Sequence, residues 1–310
     1  MTKKIVIALG GNALGNNPKE QLEAVKITAQ SIVDLIAQGN KVIISHGNGP
    51  QVGMISLAFS EGSKVNKKIP QLPLSLAGAM SQGYIGLHLQ QAIKNELILR
   101  NLDHDVISLI TQTEVDPNDP SFSNPTKPIG LFYTKEQAKE LAKKEKWIVA
   151  EDSNRGWRRM VPSPLPINII EKNLIKHLSD KAIVIAGGGG GVPTIIKDNT
   201  LIAVDAVIDK DFTSAKIAEL VDADMLMIVT ASDGVFINYG KKDAKQLSAV
   251  TVLELEELLA ANEFPAGSMK PKVEAAVSFV KSGKKKIACI SDLHLVKKTL
   301  NNEAGTWITH

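Results

Sequence analysis

Two segments of this sequence put lysine beside groups that would fix its position. In Val207-Ile208-Asp209-Lys210-Asp211 a lysine stands between two carboxylates, ahead of a helix predicted over Phe212 to Val221. Ion pairing could hold that ammonium and aim it at a phosphate. The competing reading is a solvated capping cluster in which Asp211 answers the helix dipole. In Gly267-Ser268-Met269-Lys270-Pro271-Lys272 glycine and serine lead two lysines into a second predicted helix, near Lys272 to Val280. Cations are unfavourable beside the positive end of a helix, so either a bound anion offsets them or they are ordinary surface lysines.

Glycine-rich turns supply the second kind of chemistry, backbone N–H groups that can approach an anion closely. Gly10-Gly11-Asn12-Ala13 follows an apolar run, and His46-Gly47-Asn48-Gly49-Pro50-Gln51-Val52-Gly53 follows another. Two such loops on one sheet could surround one phosphate, or each could be no more than a tight turn. A third run, Gly187 to Gly191, costs enough backbone entropy to suggest a use, a flexible connector being the alternative. Thr230-Ala231-Ser232-Asp233-Gly234-Val235-Phe236 could flank a nucleotide base. No Gly-x-x-x-x-Gly-Lys-Ser/Thr occurs, and Val52 stands where a dinucleotide fingerprint needs its last glycine. His46 reads as a hydrogen-bonded residue shaping its loop rather than a general base. Arg158-Arg159 could bind an anion or simply be solvated.

The elements that must carry these loops are short apolar runs standing before glycine or small polar residues. They are Ile5 to Leu9, Val42 to Ser45, Val106 to Ile110, Ala182 to Ala186, Met225 to Thr230 and Ile287 to Ser291. Each reads as a strand buried on both faces. Between them Leu22, Val25, Ala29, Ile32, Val33 and Ile36 fall on one helical face that stops at Gly39. A helix near Val252 to Ala261 reads as amphipathic, leucines inward and glutamates in water. This repetition predicts an α/β fold: a three-layer, open, mostly parallel sheet with helices on both faces and the glycine loops along one edge. From about Asp116 to Pro166 proline and polar residues break the rhythm and predict a small protruding subdomain. Inside it Trp147 to Ala150 and Trp157 to Val161 should pair as a hairpin, and a second hairpin is expected around Asp198-Asn199.

Bulk properties narrow the class. With 310 residues, 44% of them hydrophobic and 22% charged, the chain has material for one large core or two modest ones. A net charge of +3 is too small for a surface that grips nucleic acid, and no stretch approaches a membrane span. The single cysteine, Cys289, sits in an apolar run, which excludes an intrachain disulfide and a cysteine-rich metal site. The first residues lack a secretory signal, so the expected compartment is reducing and aqueous, most simply the cytoplasm.

Taken together, IALGGNAL, SHGNGPQVG, GAMSQGYIG (78–86), NPTKPIG (124–130), RGWRRMVPSPLP from Arg155, AVIDKDF and GSMKPK resemble the amino-acid kinase superfamily, and within it the carbamate kinase family most closely. The resemblance spans nearly the whole chain. It implies one amino-acid-kinase-like unit over 1–310, with an N-terminal lobe, 1–180, for carbamate or carbamoyl phosphate. The subdomain at about 116–166 would protrude from that lobe, and a C-terminal lobe, 181–310, would take ADP or ATP. Gly10, Gly11 and Asn12 would cradle the transferring phosphoryl group, with Gly47, Asn48 and Gly49 on its carbamoyl side. Lys127, Lys210 and Lys272 would be the stabilising cations and Asp211 their orienting carboxylate. Asp209, Ala231, Asp233, Val235, Tyr239, Met269 and Lys270 would line the nucleotide. Magnesium would accompany the nucleotide, with no protein metal ligand assigned, and a homodimer is implied. Ala186 departs from the pattern where a serine is expected, and Asp233-Gly234 resembles the uridylate-kinase loop. Acetylglutamate or UMP as acceptor, or a non-catalytic sensor of the same ligands, are the alternatives.

Overall fold

The computed structural model describes residues 2–10, 18–152, 155–265, 267–300 and 303–310. In chain order these form β1 (Lys4–Leu9), α1 (Pro18–Ala37), β2 (Lys41–His46), α2 (Gly49–Val65), α3 (Leu74–Leu99), β3 (Asp105–Ser108) and β4 (Gln112–Val115). Next come β5 (Lys127–Tyr133), α4 (Lys135–Glu145), β6 (Ile148–Glu151), β7 (Trp157–Val161), β8 (Pro166–Ile169), α5 (Lys172–Leu178), β9 (Ala182–Ile185), β10 (Val192–Lys197) and β11 (Thr200–Ala203). The chain continues through α6 (Lys210–Leu220), β12 (Met225–Thr230), β13 (Val235–Ile237), β14 (Lys245–Leu247), β15 (Ala249–Thr251), α7 (Val252–Ala260), α8 (Met269–Lys281), β16 (Ile287–Asp292), α9 (Val296–Leu300) and β17 (Thr306–Thr309).

Alternation within each central strand explains the three layers, because successive side chains leave opposite faces of the sheet. Ile5, Ile7 and Leu9 of β1 enter one core with Val42, Ile44, Ile183, Ile185, Met225, Met227 and residues of α1 and α3. Val6 and Ala8 enter the opposite core with Ile43, Val184, Leu226, Ile228 and residues of α6, α7 and α8. Both faces are dry, so these strands read as continuous apolar runs. Their eight-stranded sheet has the order β15-β17-β16-β12-β1-β2-β9-β3. The six strands from β16 to β3 are all parallel, and the β16–β17 pair is antiparallel. From β1 the chain moves to β2 on one side, and β12 pairs on the other, so the sheet reverses its winding direction at β1. In open α/β sheets such a reversal opens a crevice at the carboxyl ends of the strands.

A separate antiparallel sheet, β5-β7-β6, carries α4 against it and makes the body of the 116–166 subdomain, its β5 resting on α2. The expected hairpin is the β6–β7 pair. The second is β10–β11, which turns through Asp198 and Asn199 at φ 51° and 59° within the sheet β11-β10-β4-β8. Some boundaries differ from the sequence reading. Strand β3 ends at Ser108 rather than Ile110, because Gln82 of α3 clamps Thr111 with a pair of hydrogen bonds, accepting from its N–H at 2.8 Å and donating to its carbonyl at 3.1 Å. Helices α6 and α8 begin at Lys210 and Met269, earlier than predicted, so both lysine motifs lie inside first turns. Leu22, expected inward on α1, is 46% exposed; on α7 Leu255 is buried but Leu253 is 67% exposed. Cys289 is fully buried in β16, where burial pushes its thiol pKa up to about 12.

Candidate active site

The carboxyl ends of β1, β2, β9 and β12 bring the glycine loops to one edge of the sheet. Gly10 donates its N–H to the Val229 carbonyl of β12 at 3.1 Å, and Gly47 donates to the Leu9 carbonyl of β1 at 3.1 Å. A side chain at Gly10 would place its Cβ 2.9 Å from the Val229 oxygen, so this approach requires glycine. A cavity of about 480 Å³ opens here, lined by Gly10, Lys210, Val229, Thr230, Ala231, Ser268, Lys272, Asp292, Leu293 and His294. Gly11 and Asn12, the other expected members of the first loop, lie outside the described residues.

Across this cavity the charged groups form one network. Asp211, 2% exposed in the first turn of α6, accepts Lys210 Nζ on Oδ1 at 2.5 Å and Lys272 Nζ on Oδ2 at 3.2 Å. Lys272 comes from the first turn of α8, so helix packing between α6 and α8 sets the distance between the two ammonium groups. A buried carboxylate with both oxygens engaged by cations escapes the penalty of an unpaired buried charge and fixes two long, otherwise mobile side chains. Asp209 caps α6, its Oδ1 accepting the Asp211 N–H at 3.0 Å, while Oδ2 accepts Lys127 Nζ of β5 at 2.6 Å. Burial by itself would raise the Asp209 pKa. The Lys127 charge and hydrogen bond, the Asp211 amide and Lys210 together outweigh it and hold the carboxyl below its ordinary range. The subdomain lysine, from a different sheet, therefore reaches the same network as Lys210 and Lys272. Ser268 lines the cavity and makes no side-chain cap to α8; the Lys270 N–H in the first turn donates instead to the Pro265 carbonyl at 3.2 Å.

Beneath the second loop the run Gly187–Gly191 is buried, and four of its glycines have φ of 68°, 63°, 90° and 79° at 187, 189, 190 and 191. Side chains there would overlap the His46 ring, the Asn48 amide, the Ile208 carbonyl and Thr113. The run is a fitted floor, and the connector reading falls. Thr113 and Thr213 both donate to the Gly190 carbonyl at 2.9 Å, Thr111 accepts the Gly187 N–H at 2.9 Å, and Ser45 donates to the Gly187 carbonyl at 3.2 Å. Asn48 donates Nδ2 to Ser81 of α3 at 2.8 Å and starts α2 without a side-chain cap. His46 is 1% exposed, its Nδ1 lying 2.8 Å from the Gly47 carbonyl. Burial drives its pKa down to about 4, opposed by the Gly47 hydrogen bond and assisted by the Lys210 charge, so the ring is neutral at pH 7 and shapes the loop.

The model of the amino acid kinase family matches residues 3–291. The chain belongs to the amino acid kinase family. It is 50% identical to the carbamate kinase of Staphylococcus haemolyticus over 309 residues, covering 98% of this chain and 99% of that one. It is also 50% identical to the carbamate kinase-like protein YqeA of Escherichia coli, covering 99% of both. Among solved structures it is similar to a carbamate kinase from Giardia lamblia bound to AMP-PNP, with a TM-score of 0.92, 40% identity and coverage of 99% and 98%.

Within this family fold the expected residues separate by position. Gly10, Lys210, Lys272 and Ala231 line the cavity, with Asp211 directly behind the lysines. Gly47 and Asn48 follow the end of β2 and Gly49 opens α2, and Lys127 and Asp209 meet at the subdomain's edge. The other nucleotide candidates sit on the β12 side. The Asp233 carbonyl accepts Gln246 at 3.0 Å, Val235 is fully buried and donates its N–H to Thr306 at 2.8 Å, and Met269 packs on the core. Lys270 lies in the first turn of α8, and Tyr239 is 69% exposed. Arg158 pairs with Asp152 at 2.9 Å, and Arg159 stacks over Trp147 at 5.0 Å, so both arginines serve the subdomain itself. Sequence reasoning missed Ser268, Asp292, Leu293 and His294 as lining residues, although Asp292 and its neighbours could have been found as the carboxyl end of a predicted strand. Thr111, Thr113 and Thr213, which hold the glycine floor, had no local signal.

Proposed function

We propose that the protein is a carbamate kinase, moving a phosphoryl group between carbamoyl phosphate and ADP, chiefly toward ATP. The observation that carries this reading is the Asp211 carboxylate holding Lys210 and Lys272 at one cavity beside Gly10. Similarity over nearly the full length to carbamate kinases, one of them bound to AMP-PNP, supports it. In this reading the nucleotide lies over 181–310, against Ala231 and the start of α8, with the softer contacts from Asp233, Val235, Tyr239, Met269 and Lys270. Carbamoyl phosphate lies over 1–180, near Gly47, Asn48 and Gly49.

A β-phosphate oxygen of ADP attacks phosphorus, and the bond to the carbamate oxygen breaks with its electron pair leaving on carbamate, which decomposes to ammonia and carbon dioxide. Neither nucleophile nor leaving group has a proton to exchange, so positioning and charge neutralisation carry the rate. Lys127, Lys210 and Lys272 face the charge on the equatorial oxygens, while the Gly10 and Gly47 N–H groups, expected to approach the anion, are taken by the Val229 and Leu9 carbonyls and shape the turns instead. Magnesium enters as part of the nucleotide substrate. Both oxygens of Asp209 and of Asp211 are engaged by lysine and amide donors, which suits an ion that would be held mainly through phosphates. We further infer a cytoplasmic homodimer acting in arginine and carbamoyl phosphate catabolism. No described helix is long and apolar enough to cross a membrane.

The test is ATP formation by purified protein from ADP, magnesium and carbamoyl phosphate, with acetylglutamate and UMP as alternative acceptors for ATP. ATP formation from carbamoyl phosphate alone among these supports the reading. Phosphorylation of acetylglutamate or UMP with no carbamoyl phosphate turnover would replace it.

A further inference from the structure

Lys127 and Asp209 are 82 residues apart and lie on units that share no sheet, yet their charged atoms meet at 2.6 Å with side chains only 34% and 15% exposed. The carboxylate is bifunctional. One oxygen caps the helix that carries Lys210 and Asp211, and the other holds the ammonium that projects from the subdomain. An ammonium has three donors, and this pair uses one of them, so Lys127 can keep Asp209 and still offer N–H groups to an anion in the cavity.

The geometry points to Asp209 as a positioning residue that docks the 116–166 subdomain against the start of α6, next to the Lys210 that lines the cavity, before substrate arrives, so that carbamoyl phosphate meets Lys127 already in place. This rests on the reading of Lys127 as a lysine for the transferring phosphoryl group. Without the carboxylate, the entropy of ordering Lys127 and the subdomain would fall on the substrate-binding step. Asp209 therefore lowers the concentration of carbamoyl phosphate needed, rather than contacting the nucleotide.

Asp209→Asn is the informative variant, because asparagine still accepts the Asp211 N–H and caps the helix while the charge pair is lost. Thermolysin cleavage within 116–166, followed without substrate, reads docking directly and does not depend on the enzyme's reaction. D209N should be cut about tenfold faster than wild type, the size expected from one charge-assisted hydrogen bond. Lys127→Ala should match it, and the double variant should be no faster than either. In turnover, D209N should raise KM for carbamoyl phosphate by about tenfold and leave KM for ADP within about twofold, and in the K127A background it should change neither. Wild-type cleavage of D209N, additive effects in the double variant, or a rise in KM confined to ADP would each overturn the proposal. If no carbamoyl phosphate turnover is found, the proposed reaction fails while the cleavage series still decides whether Asp209 docks the subdomain.

Discussion

At the scale of single residues, the site depends on which charges are fixed and which group is kept neutral. Lys210 is held by a fully engaged carboxylate, and in the proposed reaction that would preorganise its ammonium for charge developing during transfer. Lys210→Ala should remove about 3 to 4 kcal/mol of transition-state stabilisation, two to three orders of magnitude in kcat, and should also lower the thermal midpoint, because the buried Asp211 carboxylate loses one of its two cations. Turnover from carbamoyl phosphate and ADP, measured beside a melting curve, checks this, and near-normal turnover would refute the role. His46 supplies a pH test. Its native pKa of about 4 lies below the ordinary 6.5, so the unfolded chain binds the extra proton between those values. The stability it secures is complete above pH 6.5 and drains away as pH falls toward 4, by an amount on the order of 3 kcal/mol. Urea unfolding across that range should show the slope, and His46→Gln should flatten it.

At the scale of elements, the strands β1, β2, β9, β12 and β16 were legible because each run is dry on both faces, and composition alone reports that; β3, read the same way, lies at the sheet's edge, where it is only half-buried and Ile110 beyond it is exposed. The β10–β11 hairpin was legible from its turn residues, Asp198 and Asn199, and the β6–β7 pair from the two short runs that flank its turn. Less was visible where partners lie far apart in sequence. The pattern of Gly187–Gly191 is silent about the His46 ring, the Asn48 amide and the threonines it fits, which come from other elements. The starts of α6 and α8 were set too late because the residues that weaken helical periodicity are the ones in their first turns, the charged Lys210, Asp211, Lys270 and Lys272 and the proline Pro271. Gly190→Ala tests the floor: at φ 90°, with the added carbon driven into the Ile208 carbonyl, it should cost about 2 to 4 kcal/mol in chemical denaturation. A loss under about 0.5 kcal/mol would mean that the loop relaxes freely.

At the scale of the whole molecule, the reversal of winding at β1 makes one crevice the meeting place of β1, β12, α6 and α8, with β2 and the subdomain beside it. Substrates that bridge these parts should stabilise them together. ADP with magnesium and carbamate-side ligand at about 100 times their Kd should each add about 2.7 kcal/mol through mass action, and a thermal shift that is absent with both would contradict a shared cleft. Cys289 has a practical use at this scale. As the sole thiol, sealed in the central sheet with its pKa pushed up by burial, it should resist alkylating and oxidising reagents. The natural chain is in effect already blank to maleimide dyes, so one cysteine engineered on α4 and another on a surface helix of the main body would report their separation by energy transfer with no prior mutagenesis of the background.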